Sequence, residues 1–353
     1  MSFKYKFTSI FLILIAFLIG LVLYEERGES YETEFSYSLK KWFDQGKNFT
    51  YKQFNVFYVH DTLTNEKINF NKTQEKSNTT ILFLHGFPTS SYDYYKIWNL
   101  LLSDHLNEND RLSQAYKSIL AFDHLGYGFS DKPTDYKYCI LDKADLVHKL
   151  LVSLGIKSIV LIAHDMSDSV ALELIKRQEL ETYDDFVIEK CILMNGGIII
   201  STLRPILSQH ILRTRYLKFL YAKLIKWPAF KYIGDFNSIF GSLNKPNATE
   251  LYDFYLTIKY NDGFNILPLT IEYMSQREIL NDMWYEWLKK TSVPLMFIYG
   301  PADPINPNTL FPQKLSRDAK NVKLVILSDM IGHYPQFEDP FTVFQLIKSF
   351  LNN

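Results

Sequence analysis

The sequence predicts an α/β fold in which a mostly parallel sheet is covered on both faces by helices. Two observations carry that expectation. Short apolar runs recur at residues 81–84, 118–122, 158–163, 191–194, 294–299 and 322–327, spaced by segments long enough for helices. Unbroken apolarity, rather than alternation, marks strands buried on both faces. The runs also end in polar or glycine-rich clusters: His85-Gly86-Phe87-Pro88, Asp123, His164-Asp165, Asn195-Gly196-Gly197, Gly300 and Ser328-Asp329. Sites in such sheets lie beyond the carboxyl ends of the strands, where these clusters fall.

The elements follow in order. Lys4 and Lys6 precede an apolar run over residues 7–24, and Glu25, Glu26 and Arg27 follow it. The run is near the lower length limit for a bilayer span, and no small-residue cleavage site closes it. It reads as an uncleaved transmembrane anchor with a cytoplasmic amino terminus, which puts the rest of the chain on the lumenal side. Four sequons fit that side: Asn48-Phe49-Thr50, Asn71-Lys72-Thr73, Asn78-Thr79-Thr80 and Asn247-Ala248-Thr249. Residues 25–50 are polar with scattered aromatics and read as a linker plus an amphipathic stretch. Residues 51–200 carry the first part of the core, opening with a candidate strand at 54–58. Residues 201–292 interrupt the rhythm with helical patterns rich in aromatics, and read as an inserted helical lid. Residues 293–353 complete the core.

Composition narrows the function classes. Of 353 residues, 47% are hydrophobic and 22% charged, which excludes a disordered chain or a rod. A net charge of −1 removes the usual footprint of nucleic-acid binding. Cys139 and Cys191 form no disulfide framework and no metal-ligand pattern, so they read as small buried hydrophobes and no metal is expected.

Four segments carry chemistry. Residues 159–167 run as a strand into Ala163-His164-Asp165-Met166-Ser167 and then a helix, the layout of a nucleophile elbow. The central residue is Asp165. A carboxylate there attacks sp³ carbon and forms an ester; Asp is equally a good helix N-cap. The turn at Gly86-Phe87 offers a backbone N–H that, with that of Met166, makes an oxyanion hole. Asp303 follows one later strand and His333 the next. Each alone is an ordinary turn Asp or loop His, but the order nucleophile, acid, base is that of a triad in which His moves protons and Asp holds its tautomer.

With these segments the chain resembles the epoxide hydrolase and haloalkane dehalogenase branch of the α/β-hydrolase superfamily. Within that branch it resembles the mesoderm-specific transcript protein family, over about residues 50–350. Supporting matches include Asp123-His124-Leu125-Gly126-Tyr127-Gly128, Asn195-Gly196-Gly197, Asn261-Asp262-Gly263, Gln276-Arg277 and His333-Tyr334-Pro335-Gln336. The resemblance implies an α/β-hydrolase fold, no cofactor, and a single-pass protein of the endoplasmic reticulum membrane. It also implies lid tyrosines that hydrogen-bond an epoxide oxygen, with Tyr216, Tyr252, Tyr255 and Tyr273 as candidates. Dehalogenases hold halide with a Trp after the nucleophile. Met166 has no such donor, so dehalogenation is not expected. Ser167 replaces the usual Gly.

The function expected from these residues is hydrolysis of a small or lipophilic epoxide through an ester on Asp165. His333, oriented by Asp303, activates water. Two alternatives remain open here: a lipid ester hydrolase or acyltransferase, and a membrane protein that keeps the fold without catalysis.

Overall fold

The computed structural model describes residues 35–63, 78–104, 116–225, 230 and 235–352. The apolar run at 7–24 and the Asn71 sequon lie outside them. Among the described residues no helix is long and apolar enough to cross a membrane.

Eight strands form one sheet: β1 (Lys47–Tyr51), β2 (Phe54–Thr62), β3 (Thr79–Leu84), β4 (Ser118–Phe122), β5 (Ser158–His164), β6 (Val187–Met194), β7 (Leu295–Tyr299) and β8 (Val322–Ile326). Their order is β1-β2-β4-β3-β5-β6-β7-β8. β2 runs antiparallel to both β1 and β4, and all remaining pairs are parallel. Every residue of β3, β4 and β7 is buried, as the continuous apolar runs require. Each such Leu, Ile or Phe contributes about 1.5–3 kcal/mol by leaving water.

Helices cover both faces: α1 (Tyr37–Asp44), α2 (Tyr95–Asp104), α3 (Ile140–Ser153) and α4 (Met166–Glu179) precede β6 or its insertion. Between β6 and β7 the described chain is helical, with α5 (Leu207–Arg213), α6 (Lys218–Leu224), α7 (Ala248–Lys259), α8 (Gly263–Thr270) and α9 (Tyr273–Lys290). Then come α10 (Phe311–Asp318), the short α11 (Pro335–Glu338) and α12 (Pro340–Leu351).

One expectation is corrected. From residue 35 on, the stretch is packed structure rather than linker, and its amphipathic part is α1. Ser36 caps α1 by accepting from Leu39 N–H at 3.2 Å. Leu39 and Trp42, three apart on one face, are buried, and the Trp42 indole donates to Ser91 Oγ at 3.3 Å. β1 then pairs with β2 along its whole length. The apolar content of this stretch is low, but Leu39 and Trp42 are buried and Phe35, Phe43 and Phe49 pack against the core, while Tyr37 is exposed.

Candidate active site

The site begins at the end of β5. Asp165 has φ +49° and ψ −111°, a conformation that side chains resist. The packing around it imposes the strain. Asp165 N–H donates to Met194 O at 3.0 Å, and α4 begins at the next residue. A methyl group on Gly86 would stand 2.8 Å from both Asp165 Cβ and His164 Nδ1, so only glycine lets that turn approach the elbow. The turn delivers the Phe87 N–H to Asp165 Oδ2 at 3.0 Å.

The other carboxylate oxygen faces His333. His333 Nε2 lies 3.9 Å from Asp165 Oδ1, and His333 Nδ1 bonds Asp303 Oδ2 at 2.9 Å. All three residues are buried. A distance of 3.9 Å is too long for a hydrogen bond, so Nδ1 is committed to Asp303 while Nε2 faces Oδ1 without bonding it. Burial pulls the His333 imidazole down, but Asp303, helped by Asp165 and Glu338, outweighs it and holds the ring above its ordinary value. Burial pushes Asp303 up, and His333, Asn195 and Asn306 together hold it below the usual carboxylate range.

The remaining expected groups divide. The Met166 N–H makes no hydrogen bond to Asp165 among the described residues, so Phe87 supplies the donor seen at the carboxylate. The Met166 sulfur instead accepts from Tyr127 OH at 3.3 Å. Ser167 fits the place of glycine because its hydroxyl is satisfied: it donates to His85 O at 2.5 Å and meets His124 Nε2 at 3.0 Å. His85 takes His124 N–H on Nε2 at 3.0 Å and bonds Gly86 O through Nδ1 at 2.8 Å. Burial pulls its pKa to about 3, and burial with the neighbouring His333 pulls His164 to about 4. These rings are neutral braces. Asp123 holds the Gly126–Gly128 loop through Phe129 N–H at 2.7 Å and also anchors Ser91 N–H at 2.7 Å.

Above His333 lies an apolar cavity of about 50 Å³, lined by Phe87, Leu212, Tyr221, Phe236, Leu267 and others. The four candidate tyrosines do not share it. Tyr216 is 82% exposed, because its position on the turn between α5 and α6 points away from the core. Tyr252 and Tyr255 stack on each other at 5.9 Å, and Tyr255 backs the cavity through Phe230 and Phe264. Tyr273 is buried against Phe87, ring centroids 5.7 Å apart, and close enough to Asp165 for that charge to act on its phenol. Tyr221 lines the cavity without having been singled out.

A family model described as the alpha/beta hydrolase fold matches residues 79–167, from β3 to the elbow. The mesoderm-specific transcript homolog protein of Bos taurus is 34% identical over 323 residues, 91% of this chain and 90% of the relative. The chain belongs to the mesoderm-specific transcript family. LipZ of Mycobacterium tuberculosis, a hydrolase by name, is 32% identical over 74% of this chain and 84% of its own. The fold is shared with haloalkane dehalogenase DatA from Agrobacterium tumefaciens (TM-score 0.65, 16% identity, 87% of this chain and 96% of that one). It is shared equally with the epoxide hydrolase CorEH (TM-score 0.63, 17% identity, 87% and 98%).

In this member of the mesoderm-specific transcript family, four supporting residues had no role assigned from sequence. Asn195, at φ +49° just past β6, donates to Asp303 Oδ2 at 2.9 Å and accepts from Gly300 N–H at 2.9 Å. Asn306 donates to the same oxygen at 3.0 Å. Glu338 receives the N–H groups of Gly241, Gly332 and Tyr334 at 2.7, 2.8 and 3.0 Å, holding the His333 loop. Arg277 donates to Asp165 O at 2.9 Å and Ser169 Oγ at 3.0 Å. Asn195 carried a usable signal, its place directly after a buried strand. Arg277 stood in the Gln276-Arg277 match, which marked the family but gave the residue no role.

Proposed function

We propose that this chain is a hydrolase that opens small or lipophilic epoxides through a covalent ester on Asp165. The observation that carries this reading is the division of labour at one carboxylate. Oδ2 is held by the Phe87 N–H, and Oδ1 stands open before His333 Nε2. Oδ1 attacks an sp³ carbon, the C–O bond of the epoxide breaks, and the alkoxide takes a proton. Oδ2 is then the ester carbonyl oxygen. Water, losing a proton to His333 Nε2, attacks that carbonyl carbon, and the negative charge that develops on Oδ2 meets a donor already in position. The centre then collapses, the Cγ–Oδ1 bond breaks, and Oδ1 leaves with the diol and takes the proton from His333. The water oxygen stays on Asp165, whose remaining proton returns to the tyrosine that donated one. Tyr273 supplies the proton to the opening oxygen. Burial and Asp165 push its phenol upward, which keeps that proton on it.

The helical insertion acts as a lid. The cavity of about 50 Å³ is smaller than the roughly 300–1,000 Å³ typical of ligand pockets, so the insertion opens to admit substrate. The apolar lining favours lipophilic molecules. Residues 7–24 anchor the chain in the endoplasmic reticulum membrane with the hydrolase domain lumenal, a reading supported by Lys4, Lys6 and the sequons.

The acyl-transfer alternative lacks support at the elbow. An acyl-attacking hydroxyl is needed there, and that of Ser167 is committed to His85 O. The test is a single turnover in ¹⁸O-water followed by mass spectrometry of the intact protein, across a panel of lipophilic epoxides. Ester chemistry leaves ¹⁸O in Asp165 and not in the first diol. A folded His333→Gln protein that forms no adduct with any epoxide would remove the epoxide reading and favour a non-enzymatic role.

A further inference from the structure

We propose that α5 and α6 of the insertion form a membrane-contact face that rests on an anionic lipid surface. The first ground is exposed apolar area. Leu207, Tyr216, Leu217, Phe219 and Leu220 are all exposed within fourteen positions, Leu207 to 68% and Leu220 to 54%. Single exposed hydrophobics are ordinary, but Tyr216, Leu217, Phe219 and Leu220, exposed within five positions, crowd apolar area into one short segment and mark an interaction surface.

Charge selects the partner. In a chain of net charge −1, no acidic residue occurs between Glu189 and Asp235. Arg204, Arg215 and Lys223 are exposed and form no ion pair among the described residues. Large apolar side chains interleaved with unpaired cations suit a headgroup boundary, where the cations meet lipid phosphates and the apolar groups enter the acyl layer.

The exit of the chain agrees. Phe35, the first described residue, lies in a groove with Leu256, Lys259 and Tyr260 on the insertion. Ser36 is tied to α7 through Asp253 Oδ2 at 2.5 Å. Only residues 25–34 separate Phe35 from the apolar run, a reach of at most about 35 Å. A bilayer holding that run therefore lies within that reach of α7. The inner sides of the same helices, through Leu212 and Tyr221, line the cavity above His333. The lipid contact does not depend on the chemistry proposed for Asp165.

The experiment is hydrogen–deuterium exchange on the full chain reconstituted in two kinds of vesicle. One is pure phosphatidylcholine and the other phosphatidylcholine with phosphatidylserine at about 7:3. The apolar run is present in both, so only the charge-dependent difference at residues 207–224 is read. Exchange there should slow by roughly tenfold in the anionic vesicles. The double variant Arg215→Glu, Lys223→Glu should lose that slowing while β5 keeps its protection, which shows the fold is intact. Equal exchange in the two vesicles overturns the proposal. So does slowing that needs no vesicles and grows with protein concentration, because the face would then be covered by a second copy of the chain.

Discussion

At the scale of single residues, the proposed reaction gives the two carboxylate oxygens of Asp165 and the two nitrogens of His333 separate duties. This separates the steps of the proposed reaction. His333→Gln should still form the ester, since attack on the epoxide needs no base, but release should slow by about 10²–10⁴. Intact mass after mixing checks it: the variant accumulates an adduct and the wild type does not. The pH dependence follows from the same contacts. Protonating His333 removes the base, so ester hydrolysis is lost as pH falls through a pKa held above the ordinary histidine value. Esterification cancels the Asp165 charge, one of the groups raising that pKa. The inflection for ester hydrolysis should therefore lie below the His333 titration of the free protein, measured by NMR. Equal values would mean that Asp165 is not the residue neutralised. Tyr273→Phe should slow ester formation by about 10²-fold and leave release unchanged.

At the scale of elements, the site depends on close approaches between loops that meet only in the fold. A methyl group on Gly86 collides with the elbow, and one on Gly300 would stand 2.1 Å from Gly332 O. Gly86→Ala should cost about 1–3 kcal/mol of stability, seen as a lower melting temperature, and should lower activity further by moving the Phe87 donor. α11 carries a different dependence. Glu338 is the acceptor for three buried N–H groups spanning the insertion and the His333 loop. Removing it by Glu338→Ala leaves those donors without a partner, at about 1–3 kcal/mol for each that water cannot reach. Denaturant unfolding should show the loss, and Glu338→Gln, which keeps one carbonyl acceptor, should show less of it. The insertion is fastened to the base directly as well, by His333 N–H on Ile239 O at 2.8 Å.

At the scale of the whole molecule, the amino-terminal segment joins the sheet and the insertion into one body. α1 packs Trp42 into the core, and Ser36 and Tyr92 converge on the buried Asp253 of α7, Tyr92 at 3.1 Å. Whatever holds residues 7–24 thereby acts on the insertion through a short tether. The lumenal topology proposed for this chain makes a direct expectation. In intact microsomes the domain should resist added protease, and glycosidase should increase its mobility. Asn48, Asn78 and Asn247 are exposed, and Asn247 caps α7 through Oδ1 at 2.9 and 3.0 Å, which leaves its nitrogen for a glycan. Digestion without detergent, on an unglycosylated chain, would refute that topology.

The sequence by itself determined the sheet and the identity of the groups at its edge. Continuous apolar runs are local signals of burial on both faces, and the residue that ends each run is placed by the strand before it. Asp165, Asp303 and His333 were legible for that reason, as was Asp123. Tertiary structure alone decided the rest. Residues 35–50 look like a linker because their polarity is high, yet three-residue spacing turns Leu39 and Trp42 onto one face that β2 and α2 can cover. Which aromatic of the insertion borders the cavity depends on how α5 to α9 pack, so Tyr221, which lines it, could not be told from Tyr216 by composition. Arg277 acts on Asp165, 112 positions away, and Asn306 and Glu338, besides their near neighbours, reach Asn195 and Gly241, 111 and 97 positions away. No window of sequence contains both halves of such a contact, since chain closure over that distance is set by the packing of the whole domain.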